Sequence, residues 1–106
     1  MQKQARRLSV FIHYVMHEDI IDGNPNAFIS AFYVSEAYRR KGVGTRLLEQ
    51  AITDSLARGA VGVETSTVHA SARVLFEKHH FKQTVGGIGE VFLELDVAEY
   101  LEAKKQ

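Results

Sequence analysis

The chain has no cysteine among its 106 residues, which excludes disulfides, thiolate metal sites and a cysteine nucleophile. It has no net charge either, because thirteen basic residues balance thirteen acidic ones. That balance gives no overall field to draw in nucleic acid or an anionic membrane. No apolar run approaches the length of a membrane span, and the polar start MQKQARR lacks the apolar region of a signal peptide. A cytoplasmic setting is therefore expected. Repeats, low-complexity tracts and linkers are also missing. Five histidines raise the question of a metal. The spacing HExxH does not occur, and neighbours such as His79 and His80 point to different helix faces, so no metal site is expected.

What remains is the make-up of a small globular domain. The 45% apolar and 25% charged fractions are ordinary for a globular protein. A chain of this length holds one core, burying roughly two thirds of its unfolded surface. A single domain over residues 1–106 follows. Alternation predicts a first strand over Ser9 to His17, with Val10, Ile12, Tyr14 and Met16 on one face and Phe11, His13, Val15 and His17 on the other. Asp22-Gly23-Asn24-Pro25 reads as a turn into a second strand, Asn26 to Val34, completing an antiparallel hairpin. From Gly44 to Arg58 an apolar stripe of Leu47, Leu48, Ala51, Ile52 and Leu56 predicts a helix, with Gly59 as its stop. A central strand over Val61 to Ser66 and a helix over Ala70 to His79 come next. Strands over Phe81 to Val85 and Val91 to Val97, and a terminal helix over Ala98 to Lys105, complete the order.

The most telling stretch is YVSEAYRRKGVGTRLLE, from Tyr33 to Glu49. A strand ends, Arg39, Arg40 and Lys41 follow, Gly42 and Gly44 alternate, and an amphipathic helix begins. The first turn of a helix leaves its N–H groups unpaired, and the dipole adds positive potential there. Glycine lets that backbone approach an anion closely. Alternating glycines have no evident use in core packing, so an anion site over Arg39 to Thr45, Val43 included, is the expectation. The spacing lacks the lysine and hydroxyl pair of a P-loop and the third glycine of a Rossmann turn.

As R-x-x-G-x-G, residues 39 to 44 resemble the pyrophosphate-binding motif of the GNAT superfamily of acyl-CoA-dependent N-acyltransferases. A second block, HASARVLFEKHHF over residues 69 to 81, is similar to the family's N-x-x-A-x-x-L-Y-E-K-x-G-F. The matching positions are Ala72, Leu75, Glu77, Lys78 and Phe81. The resemblance spans about half the chain. It implies an α/β (α+β) fold, with a mixed sheet, helices on its faces and two splayed central parallel strands joined by a right-handed crossover. It implies acetyl-CoA as co-substrate, with the backbones of Phe32 and Val34 meeting the pantetheine arm in the manner of an added strand. It also implies an N-acetyltransferase acting on a small-molecule or peptide amine, and no nucleic acid or membrane partner. Only about eight residues precede the first strand, where family members carry a further strand and two helices. A homodimer that supplies the missing wall is the expectation.

Acyl transfer needs a base for the amine, a donor for the oxyanion and an acid for the departing thiolate. By resemblance the acid position in the second helix is Phe76, which has no proton to give. The asparagine at that helix start is His69, and the glycine at its end is His80. Histidine tolerates the left-handed conformation at some cost relative to glycine. Tyr33 and Tyr38 are the substitute acids. The strand position where many members place a glutamate base falls near Ser30, which leaves Glu64, His13 or His17 as bases. Two readings follow: an acetyltransferase with Glu64 and Tyr33 in catalytic roles, or a catalytically weak CoA-binding or dimerising module. CoA binding falls to Phe32, Val34, the Arg39–Thr45 loop, His69 and Phe76 in both.

Overall fold

The computed structural model describes residues 10–39, 41–86 and 88–105. Among these residues, five strands form one mixed sheet in the order β1-β2-β3-β5-β4. They are β1 (Val10–Glu18), β2 (Pro25–Val34), β3 (Gly62–Thr67), β4 (Phe81–Gly86) and β5 (Val91–Leu95). Three helices accompany them: α1 (Val43–Ala57), α2 (Ala70–Lys78) and α3 (Val97–Lys104). The β2–β3 pair is parallel, and the other neighbours run antiparallel.

Local sequence accounts for most boundaries. In β1 the β-branched and aromatic residues alternate, so Ile12, Tyr14 and Met16 pack on the core while Phe11, Val15 and His17 stay exposed. The hairpin turn closes through Gly23, whose N–H reaches the Asp19 carbonyl at 2.8 Å with φ of 72°. Gly59, at φ of 100°, stops the α1 region as the glycine position required. His80 ends the α2 region at φ of 73°, in the left-handed space where glycine was expected.

All three helices pack on one face of the sheet. Leu48 and Ile52 of α1, Phe76 of α2 and Tyr100 of α3 share a cluster with Ala27, Ile29, Val63, Leu93, Leu95 and Phe81. At roughly 25 cal/mol per Å² of apolar surface removed from water, this cluster is the main source of stability. The Tyr14 hydroxyl donates to Asp54 of α1, and that bond pushes the phenol's pKa up. None of the described helices covers the opposite face. Phe11, Val15, Tyr33 and Phe92 are exposed there by 36–48%.

Candidate active site

β2 and β3 pair over four residues only, from Asn26 with Gly62 to Ile29 with Thr65. Beyond that point β2 keeps its contact with β1 and loses β3. The cause is a bulge. His13 faces Ala31 and Tyr14 faces Ile29, so Ser30 is an extra residue in β2. A bulge bends its strand and raises the local twist. It also shifts the alternation, from Ala27 and Ile29 on the helix face to Phe32 and Val34 on that same face, across two successive exposed residues.

The parting strands enclose a cleft of about 310 Å³. Phe32, Thr65, Thr67, Ala72 and Phe76 line its helix side, and Ser30, Ser66 and Glu90 line the side toward the bare face. The Thr65 hydroxyl closes the apex by donating to the Ile29 carbonyl at 3.0 Å. Opposed residues of an antiparallel pair alternate between bonded and unbonded positions. The Pro25 carbonyl accepts from Val61 on the β3 side. Counting from it through the bulge, the N–H and C=O groups of Phe32 and Val34 turn toward the open gap. The Val34 carbonyl is already met by Arg39 Nε at 3.0 Å. Arg39 thus braces the strand end rather than standing free at the rim of the loop.

Past the Val34 end of β2, α1 begins at Gly42 with φ of 78°. No side chain caps it, and its first turn has no acidic residue. Gly42 is therefore glycine for its backbone conformation. Packing does not demand glycine at Gly44. A Cβ there would lie 3.4 Å from Val34 Cγ2, 3.5 Å from Leu75 Cδ2 and 3.6 Å from Phe32 Cζ, all ordinary van der Waals distances. The start of α1 thus lies against Val34 and Phe32 of β2 and Leu75 of α2. Lys41, Val43 and Thr45 stand at the same turn, and Arg40 lies outside the described residues.

The family model described as Acetyltransferase (GNAT) family matches residues 9–81. The chain belongs to this GNAT acetyltransferase family. Solved structures share the fold. A NatC complex bound to Gag peptide and CoA aligns with TM-score 0.70 and 22% identity, over 79% of this chain and 58% of that one. The PH1933 protein of Pyrococcus horikoshii aligns with TM-score 0.70 and 24% identity, over 81% and 56%. A PaiA N-acetyltransferase from Thermoplasma acidophilum in complex with coenzyme A gives 0.62 and 18%, over 66% and 45%. The chain thus spans little more than half the length of the first two. No curated protein matches it in sequence.

Against the GNAT pattern, the structure separates the candidate residues into two groups. Phe32, His69 and Phe76 line the cleft. Phe76 is 2% exposed, with its ring 5.2 Å from Phe81 and 5.9 Å from Phe32. His69 precedes α2, and its backbone N–H donates to the Thr67 hydroxyl at 3.0 Å. Glu64 and Tyr33 are elsewhere, on the bare face. Glu64 lies 3.9 Å from His17 Nε2, and Tyr33 packs its ring 6.0 Å from that of Phe11. Neither lines the cleft.

Sequence reasoning missed two polar pairs at the cleft. The Ser66 hydroxyl donates to Glu90 Oε2 at 2.8 Å. Ser30 Oγ lies 2.7 Å from His13 Nδ1. The partners are 24 and 17 residues apart in sequence, so only strand register brings them together.

Proposed function

We propose that this chain is a single GNAT domain over residues 1–106 that transfers an acetyl group from acetyl-CoA to a small-molecule or peptide amine. One observation carries the reading: two parallel strands part beyond Ile29 and Thr65 and lead to an uncapped, acid-free helix start. The pyrophosphate would meet Lys41, Gly42, Val43, Gly44 and Thr45, with Arg39 and Arg40 beside them. The pantetheine amides would meet the Phe32 backbone, and the Val34 carbonyl once Arg39 yields it. The acyl end would reach Phe76, Ala72 and His69. Backbone N–H groups left free by the splay would hold the oxyanion. A cytoplasmic setting goes with this co-substrate, since acyl-CoA thioesters are made inside cells. Among the described residues no helix is long and apolar enough to cross a membrane.

Titration calorimetry tests the binding half of the proposal. The parent should bind acetyl-CoA, and Gly42→Val, which forces a branched side chain into a left-handed backbone, should not. A parent that ignores acetyl-CoA sinks the assignment. The second reading, a binding module with little turnover, is favoured by Phe76, which has no hydroxyl at the expected acid position. Phe76→Tyr separates the two. On the general-acid scale it should raise thiol release with a working amine by up to about 10²-fold in an enzyme limited by thiolate protonation. It should leave turnover unchanged in a binding module.

We also propose a homodimer. Among the described residues β1 is an edge strand, and the face beside it exposes Phe11, Val15 and Tyr33. Sedimentation at micromolar concentration should give twice the 11.9 kDa chain mass. A clean monomer would remove the shared wall from the picture.

A further inference from the structure

The acetyl-CoA reading fills one end of the cleft and leaves the other unexplained. At its mouth on the bare face, polar groups stand on both walls. On the β2 wall is Ser30, the bulged residue, with its hydroxyl on His13 Nδ1. On the opposite wall is half-buried Glu90, which accepts from the Ser66 hydroxyl. A carboxylate that lines a cleft and is held by a neutral hydroxyl keeps its charge available for a cation. The surrounding face adds more negative charge. Glu64 and Glu94 lie opposite each other across β3 and β5, and Lys82 faces Glu94 from β4.

We infer that this mouth is the acceptor site, and that it takes an alkyl amine bearing a second positive charge and no carboxylate beside the reacting nitrogen. The inference rests on acetyl-CoA occupying the cleft from the α1 end. Glu90 receives the ammonium group. With the His13 ring proton on Nε2, Nδ1 accepts from the Ser30 hydroxyl, which leaves a Ser30 lone pair facing the cleft. The ammonium nitrogen passes one proton to Ser30 Oγ as the Ser30 proton moves to His13 Nδ1. The freed nitrogen pair forms the C–N bond to the thioester carbon. The C–S bond breaks with its electron pair on sulfur, and the second nitrogen proton goes to that sulfur. The products are the amide, the CoA thiol and a protonated His13, which returns its proton to water. Ser30 touches the amine, and His13 acts through Ser30 as a positioning residue. The titratable groups sharing His13's face nearby are His17 on β1 and Tyr33 on β2, with Glu64 of β3 beyond, paired to His17.

The test uses the full chain with 1,4-diaminobutane and alanine as probes. Acetyl-CoA binding by calorimetry comes first and should be the same in parent, Glu90→Gln, Ser30→Ala and His13→Gln. Its loss in the parent would overturn the acetyl-CoA reading itself. The CoA-loaded parent should then bind the diamine at least about 10-fold more tightly than Glu90→Gln does, as expected for a lost charged hydrogen bond. It should bind alanine worse than the diamine. In turnover, Glu90→Gln should raise KM, while Ser30→Ala and His13→Gln should lower kcat by about 10²-fold. Both kcat variants should also flatten the acid limb of the pH–rate profile relative to the parent. A parent that binds CoA but not the diamine, or a Glu90→Gln with unchanged diamine affinity, overturns the acceptor site. An intact acid limb in His13→Gln removes the relay.

Discussion

Two helices of this fold begin in opposite ways. At α3, Asp96 caps the helix by accepting from the Glu99 N–H at 3.0 Å, and Glu99 adds a second carboxylate to the first turn. At α1, Gly42 offers no side chain and the first turn has no acid. Both starts face the same demand, since a helix leaves its first N–H groups without internal partners. α3 satisfies part of that demand from its own sequence, DVAE. The GVGT start of α1 leaves its donors available. The α2 start at His69 is likewise uncapped and free of acid, so at α1 the open turn gains its meaning from the left-handed Gly42 and the parted strands beside it.

The comparison breaks most decisively if α1 is given its own acid. Val43→Glu puts a carboxylate on the open turn, where it suits the dipole and repels phosphate. Acetyl-CoA affinity should fall by about 10²-fold or more, as expected when charged hydrogen bonds are replaced by repulsion. The urea midpoint should hold or rise. Unchanged affinity would place the CoA phosphates away from this turn. The converse change, Asp96→Ala, removes the α3 cap and should cost about 1 kcal/mol in urea unfolding. CoA binding should be indifferent to it.

The smallest effect concerns pH. Glu99 takes the His80 ring at 2.7 Å and Lys82 at 3.1 Å, and the His80 bond is the main reason its pKa lies below the ordinary 4.5. A carboxyl lowered on folding stabilises the fold above its unfolded pKa and loses that contribution as pH falls through the folded value. Glu99→Gln should therefore flatten the decline in stability below about pH 4.5. Because the group is exposed and screened, the shift in urea midpoint should be small beside that of Asp96→Ala. A variant whose acid limb matches the parent would assign the decline to other carboxyls.

Much of the fold was legible because it rests on local periodicity. The alternation of β1, the stripe of α1 and the stop at Gly59 are each set by residues a few positions apart. His80 was legible as a left-handed cap because the second motif fixes its place. The same alternation, continued from Phe32 and Val34, already turns Tyr33 to the other face, away from the cleft. Other features depend on distant partners. Ser30-Ala31 reads as ordinary strand until β1 is laid beside it. Gly44 meets Leu75 only because α2 packs against α1. Glu90 enters the cleft through Ser66, far back in the chain. Arg39 reads as a free cation until its strand ends within reach.

The bulge has a last consequence, for changes in chain length rather than in residue type. Ser30 is small and exposed, so a point substitution there looks harmless to the fold. Its deletion would not be harmless to the cleft, because the bulge is what bends the strand. One residue fewer would leave Ala31 alone between Ile29 and Phe32, so Phe32 and Val34 would still face α1 while the bend was lost. A related chain with a one-residue gap at this point should therefore keep the alternation and pair its two parallel strands further toward the glycine loop.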